Sequence, residues 1–323
     1  MTIKLNDVAK VAGVSPTTVS RVINNRGYIS EKTKQKVESA MKELNYYPND
    51  VARSLYKKRT YLVGLIIPDI SNPFYSELAL SIEGICSKMG YRLILCNSLG
   101  QPNKEEEYAV MLIRNQVDGM IVCSYNRGVE TYKRSNLPII AIDHYLSSTI
   151  PVVGSDNYEG GKMAVQHLIH RGCKSIIHIN GPAELETPTQ LRRKAYEDLV
   201  KKPLTYVLNS PFDEEEIMRT IRKIFHEYPE TDGIFASDDM IAAGCLQVAE
   251  EMNIDVPMQL KIVGYDGTST VSKLLPQLTT IKQPIKDIAS TAVTQMMKLI
   301  TYPEKVTDRE TFLLPEIVIN KTT

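Results

Sequence analysis

From residue 61 onward, strand-length apolar runs alternate with stretches of helical spacing, and few folds accept that alternation. The runs include YLVGLIIPDI, YRLILCNS, DGMIVCS and LPIIAID, then SIIHING, TYVLN, GIFASD and LKIVGYDG. Between them the spacing predicts helices near 74–89, 103–115, 158–171, 190–201, 214–227 and 239–252. A strand without polar alternation is buried on both faces, and an intervening helix is the crossover of a parallel pair. There are more strands than one compact sheet of this kind holds, so the reading is an α/β core of two doubly wound parallel-sheet lobes. Near the end, Ile285, Ile288, Ala289, Ala292, Val293, Met296 and Met297 mark one more helix before a strand-like TFLLPEIVIN. Ligands of such folds bind beyond the carboxyl ends of strands. Polar residues collect at those ends: Asp69-Ile70-Ser71-Asn72, Asp143-His144, Asp156-Asn157, Ser237-Asp238 and Tyr265-Asp266.

The first sixty residues follow a different grammar. In LNDVAKVAGVSPTTVSRVINN, Asn6 is placed to cap a short helix with Val8, Ala9, Val11 and Ala12 on its apolar side. Gly13 supplies a turn, Ser15 caps a second helix, and Pro16 sits first in it, where a missing N–H costs nothing. With Val14, Val19, Val22 and Ile23 inward, Thr17, Thr18, Ser20, Arg21 and Asn24 are left largely outward. Helix, tight turn and polar second helix make a helix-turn-helix. A third helix starts at Ser30 and ends near Tyr46-Tyr47-Pro48, and PNDVARSLYKKRT then gives a helix too short to be stable alone. Such a segment is a candidate for folding on a partner.

Charge separates the two parts. Residues 1–60 carry twelve Lys and Arg against five Asp and Glu, a net +7, whereas the remainder holds 26 basic and 33 acidic side chains. A basic headpiece on an acidic body suggests that the headpiece meets a polyanion and the body does not.

Other chemistries find little support. The apolar runs fall far short of a membrane span, and the first residues lack a basic-then-apolar leader, so a cytoplasmic protein is expected. The five cysteines (86, 96, 123, 173 and 245) show no Cys-x-x-Cys spacing, which suits reduced, buried thiols. Asp238-Asp239 is the best carboxylate pair, but adjacent helical residues point about 100° apart. EGGKM lacks the first glycine of a phosphate loop, and the five histidines lack metal-ligand spacing. No catalytic residue, cofactor or metal is implied.

LNDVAKVAGVSPTTVSRVINN, PNDVARSL, VGLIIPDISNPFY, DNYEGG, IVGYDG and LTTIKQP together resemble the lactose/galactose repressor family of bacterial transcription regulators. The likeness runs from about residue 3 to 320, and within the family it is nearest the sucrose-operon repressors. It implies a small all-α helix-turn-helix headpiece over 1–48 and a hinge helix over 49–60. Over 61–323 it implies a core like periplasmic sugar-binding proteins, with one lobe from about 61–157 and 284–310 and the other from 158–283 and 311–323.

The resemblance also assigns residues. Thr17 and Arg21 would read base edges in the major groove, since Arg reaches guanine bidentately and Thr bonds a base or touches a thymine methyl. Thr18, Ser20, Asn24 and Arg53 would hold phosphates. Leu55 would wedge into the minor groove, with Val51 and Ala52 packing against the partner's hinge. A surface ion pair for Arg21 and a plain linker-helix role for Leu55 are the blander alternatives. Asn72, Phe74, Asp143, Asp156, Arg192, Asp238, Asp266 and Gln283 would line an effector pocket. There an aromatic face suits a sugar's C–H side, and carboxylates and Arg bond its hydroxyls. Asp156 and Asp238 equally fit helix caps.

The function implied is a homodimeric repressor of a sugar operon, foremost sucrose. It would sit on a pseudo-palindromic double-stranded operator and be released by a sugar or sugar phosphate. Two alternatives stand beside it: a regulator that tightens on its effector or a partner, and a sugar-binding protein without a DNA role.

Overall fold

The structure is a computed structural model that describes residues 3–48, 59–124, 126, 129–134, 136–182, 187–209, 213–304 and 308–323. The chain divides into two compact units, Met1–Tyr61 and Leu62–Thr323. Val51, Ala52, Arg53 and Leu55, the expected hinge residues, lie outside the described residues.

Among its described residues the first unit holds three helices: α1 (Leu5–Ala12), α2 (Pro16–Ile23) and α3 (Glu31–Glu43). Lys4, not Asn6, caps α1, and its backbone N–H donates to the Asp7 carboxylate at 2.8 Å. Gly13 closes α1 at φ +65°, a left-handed value that costs a residue without a Cβ nothing. Ser15 caps α2 by accepting the Thr18 N–H at 3.1 Å, and Ser30 caps α3 by accepting that of Thr33. The shared core is Val8, Ala9, Ala12, Val19, Val37 and Ala40. Val8, Val19 and Val37, one from each helix, are fully buried. Burial of a valine contributes roughly 1.5–3 kcal/mol, which matters in so small a unit.

The second unit holds two sheets of six strands each. The first contains β1 (Leu62–Ile67), β2 (Arg92–Asn97), β3 (Gly119–Val122), β4 (Ile139–Ile142), β5 (Val152–Ser155) and β11 (Glu310–Leu313). Its order is β11-β5-β4-β3-β1-β2 and every pairing is parallel. The connecting helices are α4 (Pro73–Lys88), α5 (Pro102–Arg114) and a short α6 (Glu130–Arg134). Ala109 and Leu112 of α5 bury the face made by Ile66, Met120, Val122 and Ala141.

The second sheet contains β6 (Ile176–Asn180), β7 (Leu204–Val207), β8 (Gly233–Ala236), β9 (Lys261–Asp266), β10 (Thr279–Lys282) and β12 (Glu316–Val318), in the order β12-β10-β9-β8-β6-β7. Only the edge pair β10–β12 is antiparallel. Its helices are α7 (Asn157–His170), α8 (Thr189–Leu199), α9 (Glu214–Glu227), α10 (Asp239–Glu251) and α11 (Ser269–Leu274). Alternate residues of one strand serve opposite faces. Ile234 and Ala236 meet α9 and α10, whereas Phe235 meets α7 and α8.

The chain passes between the lobes three times: from β5 into α7, from β10 into α12 (Ile285–Thr301), and from β11 into β12. The last passage corrects the boundary expected at 310/311. Residues 310–313 pair with Val152–Ser155, so they belong to the first lobe. Pro315 stands between β11 and β12 and has no N–H for either ladder. The single strand-like stretch is therefore two strands in two sheets.

All five cysteines are buried free thiols. Among the described residues no helix is long and apolar enough to cross a membrane, and no group of three His, Cys, Asp or Glu gathers as a metal site.

Candidate functional site

Two aspartates at strand ends adopt backbone angles that cost a side-chain-bearing residue energy. Asp143 follows β4 at φ +57°, and Asp266 ends β9 at φ +114°. Such angles persist where the surroundings over-determine them, and they cluster at binding sites. Here the surroundings are a chain of polar contacts reaching from one lobe to the other. The Asp143 carboxylate accepts the Ser155 N–H at 2.9 Å and the Asn157 amide at 3.4 Å. Gly154 leaves room for it, since a Cβ there would collide with Asp143 Oδ1. The Asn157 oxygen accepts Arg192 Nε–H at 2.9 Å, and Arg192 Nη1 donates to the Ser237 carbonyl. Nη1 also lies 3.8 Å from Asp266 Oδ1, which accepts the Gln283 amide at 2.7 Å.

Helix packing aims Arg192 into this chain. α8 presses so closely on α7 that a Cβ at Gly161 would lie 2.9 Å from the Arg192 Cα, with the Ala195 methyl filling the remaining space. One turn on, buried Tyr196 bolts α8 to the sheet by donating to the Ile176 carbonyl at 2.7 Å and accepting the Leu204 N–H at 2.9 Å. The guanidinium stacks over the Tyr265 ring at 3.5 Å, and the Tyr265 hydroxyl occupies the space that a Cβ at Gly160 would need. Stacking and the planar fork orient an Arg in a way that a Lys cannot reproduce.

The electrostatics follow from burial. Desolvation pushes the Asp143 carboxyl up to about 6, against the opposing pull of the Ser155 N–H and the Arg192 charge. Burial also raises Asp266 well above the usual carboxylate range, although Arg192 opposes it. Asp238 is raised by burial too. Several buried polar atoms along the strand ends have no hydrogen-bond partner among the described residues: Asn97 Oδ1, Asn180 Oδ1 and Gln283 Oε1. An unpaired buried polar atom costs about 1–3 kcal/mol, so such a concentration is what a polar ligand would relieve. Between the lobes, a cavity of about 550 Å³ touches this chain through Gln283, with Gly267 beside Asp266 also in its wall.

Of the expected pocket residues, the structure joins Asp143, Arg192, Asp266 and Gln283 directly. Asp238 caps α10 by accepting the Ile241 N–H at 2.8 Å, and the Arg192 charge acts on its carboxyl. Asp156 caps α7 at 2.9 Å from the Glu159 N–H, and Asn72 caps α4 at 2.9 Å from the Phe74 N–H. Phe74 is buried edge-on against Tyr75 at 5.2 Å between ring centroids. These caps join the Arg192 chain only by their place at the strand ends.

The headpiece presents a second candidate surface. Thr17 and Arg21 are exposed and four residues apart, hence on one face of α2. The Arg21 guanidinium lies over Gly27, where a Cβ would be 2.6 Å from Nη2, so glycine at that turn frees the arginine's position. Thr18, Ser20 and Asn24 are half-buried and locally bonded. Thr18 shares a hydroxyl contact with Ser15 at 2.9 Å, and the Asn24 amide donates to the Ser20 carbonyl at 2.8 Å.

Residues 4–49 match the bacterial regulatory proteins of the lacI family, and residues 165–323 match a periplasmic binding protein-like domain. The sucrose operon repressor of Streptococcus mutans serotype c is 46% identical over 319 residues, covering 98% of this chain and 97% of that protein. The sucrose operon repressor of Pediococcus pentosaceus is 47% identical over 300 residues, 92% of each. The chain belongs to the lacI family. The crystal structure of the lac repressor dimer bound to operator and the anti-inducer ONPF matches with a TM-score of 0.88 at 25% identity, over 100% of this chain and 99% of that one.

In this lacI-family chain the sequence placed Asn157 and Tyr265 among the polar strand ends but gave neither a role in the pocket, and these are the two residues that orient Arg192. Both sit inside quoted motifs, DNYEGG and IVGYDG. The paired glycines 160 and 161 were the available signal: each makes room for a side chain or backbone of this site.

Proposed function

We infer that this lacI-family chain is a DNA-binding repressor of a sugar-utilisation operon, foremost a sucrose operon, and that it carries out no catalysis. The observation that carries this is the 46% identity to a sucrose operon repressor across 98% of the chain, headpiece and core together. Thr17 and Arg21 read base edges in the major groove, while Thr18, Ser20, Asn24 and Arg53 fix the register on phosphates. Leu55 wedges into the minor groove at the operator centre, and Val51 and Ala52 pack the paired hinges. The partners are a second copy of the chain and a pseudo-palindromic duplex, which places the protein in the cytoplasm.

The effector site is the Asp143–Asn157–Arg192–Asp266–Gln283 chain, with Asn72, Phe74, Asp156 and Asp238 around it. A ligand bonded to both lobes favours one lobe arrangement over another, and that differential affinity is what an allosteric response requires. We assign the sign as induction: sugar binding releases the operator. The test is fluorescence anisotropy of a labelled inverted-repeat duplex, titrated with the full chain with and without sucrose, fructose, glucose and ribose. Release by one of them is expected. Tightening would reverse the sign, and absence of any salt-sensitive duplex preference would remove the DNA role.

A further inference from the structure

The effector site has a charge balance that bears on its ligand's chemistry. The strand ends at its centre bring together four carboxyl groups, Asp143, Asp238, Asp239 and Asp266. Against them stands the buried Arg192. Asp239 is turned inward, accepting the Thr280 hydroxyl at 2.6 Å and the Gly267 N–H at 2.8 Å, and burial raises its carboxyl. The cation is already committed: Arg192 binds Asn157 and the Ser237 carbonyl, lies 3.8 Å from Asp266 and stacks on Tyr265. The adjoining cavity repeats the balance. Lys282 and Lys286 line it, but so do Glu77, Asp287 and Glu316, and Lys282 is paired with Glu316 at 2.8 Å.

The unpaired atoms point the same way. The amide nitrogen of Gln283 is spent on Asp266, which leaves its oxygen, 3% exposed with the residue, as an acceptor without a donor among the described residues. Asn180 Oδ1, on a fully buried residue, and Asn97 Oδ1 are likewise acceptors without a donor. Acceptors of this kind are satisfied by hydroxyl protons. A phosphate ester at neutral pH offers acceptor oxygens and about two negative charges, which repel carboxylates and leave the amide oxygens unpaired.

We propose that the effector is an unphosphorylated sugar whose hydroxyls donate to Asp143, Asp266, Asn180 and Gln283, and that the phosphate ester of the same sugar is rejected. This rests on the sugar-released reading above and adds the ligand's charge class. The experiment is isothermal titration of the full chain with sucrose, fructose, glucose and ribose, and with sucrose 6-phosphate, fructose 6-phosphate, glucose 6-phosphate and ribose 5-phosphate. The expected result is that at least one free sugar binds and that its ester binds about tenfold or more weakly. Repulsion by nearby carboxylates further predicts that added salt narrows the difference, because it screens the ester's charge and not the neutral ligand. An ester that binds as tightly as its parent sugar, or more tightly, overturns the proposal, and loss of that binding in Lys286→Ala would locate the phosphate contact. Silence of all eight compounds removes the sugar response itself, a result distinct from an ester preference.

Discussion

Arg21 and Asp143 show how one side chain is tuned by what its neighbours leave open. Arg21 is held over a glycine turn on an exposed helix face, so its fork is available to a guanine edge. Arg21→Ala is expected to relax selectivity at one base-pair position and to cost about 1–3 kcal/mol there, read by binding to a set of single-substitution duplexes. Uniform weakening across the set would mean a phosphate contact instead. Asp143 is held by burial at about 6 in the folded chain, against about 3.9 when unfolded. Between those values the folded state binds the extra proton. Above about pH 6 the group therefore makes the core less stable, and the loss is recovered as pH falls toward about 4. Asp143→Asn should flatten this part of the stability profile by roughly 2–3 kcal/mol, measured by urea denaturation across that range. An unchanged slope would show that Asp143 titrates normally.

Helices set the site by how closely they approach. α7 and α8 meet at Gly161 with backbone against backbone, so the distance between them is decided by the missing side chain. Gly161→Ala is expected to push α8 outward, cost about 1–3 kcal/mol in stability and weaken sugar binding more than operator binding. Equal loss of both would point to general unfolding. A second element contact crosses the lobes. Glu77 on α4 accepts both the N–H of Ser269 at 2.7 Å and its hydroxyl at 2.8 Å, tying the first helix of one lobe to α11 of the other. Glu77→Ala should shift the sugar concentration that half-releases the operator while leaving sugar-free thermal stability nearly unchanged, because the pair is partly exposed. An unaltered release curve would make the contact incidental to lobe closure.

At the scale of the whole molecule, charge is divided by function. The headpiece segment carries a net +7 within a chain that is neutral overall. Operator affinity should therefore fall steeply with salt, with a log–log slope of about −0.9 per phosphate contacted. Effector affinity for a neutral sugar should hardly respond. A single preparation titrated at several salt concentrations checks both, and parallel slopes would contradict the division.

The sequence by itself determined the elements and their kind. Strand-length apolar runs are buried on both faces whatever they pack against, and caps such as Ser15 and Ser30 act within one turn, so both are legible locally. Asp143 and Asp266 were legible for a similar reason, because strand ends of an open α/β sheet are where ligands go, whereas Arg192, on helix α8, and Gln283 were assigned only through the family resemblance. Local spacing misplaced the α1 cap, which went to Lys4 with Asp7, and hid the break at Pro315 that sends two adjacent strands to different sheets. Only the tertiary structure decided that Asn157 and Tyr265 aim Arg192, and that one polar chain joins the lobes. Those contacts link residues far apart in sequence, and their geometry depends on the close approach of helices and sheets, which no local pattern encodes.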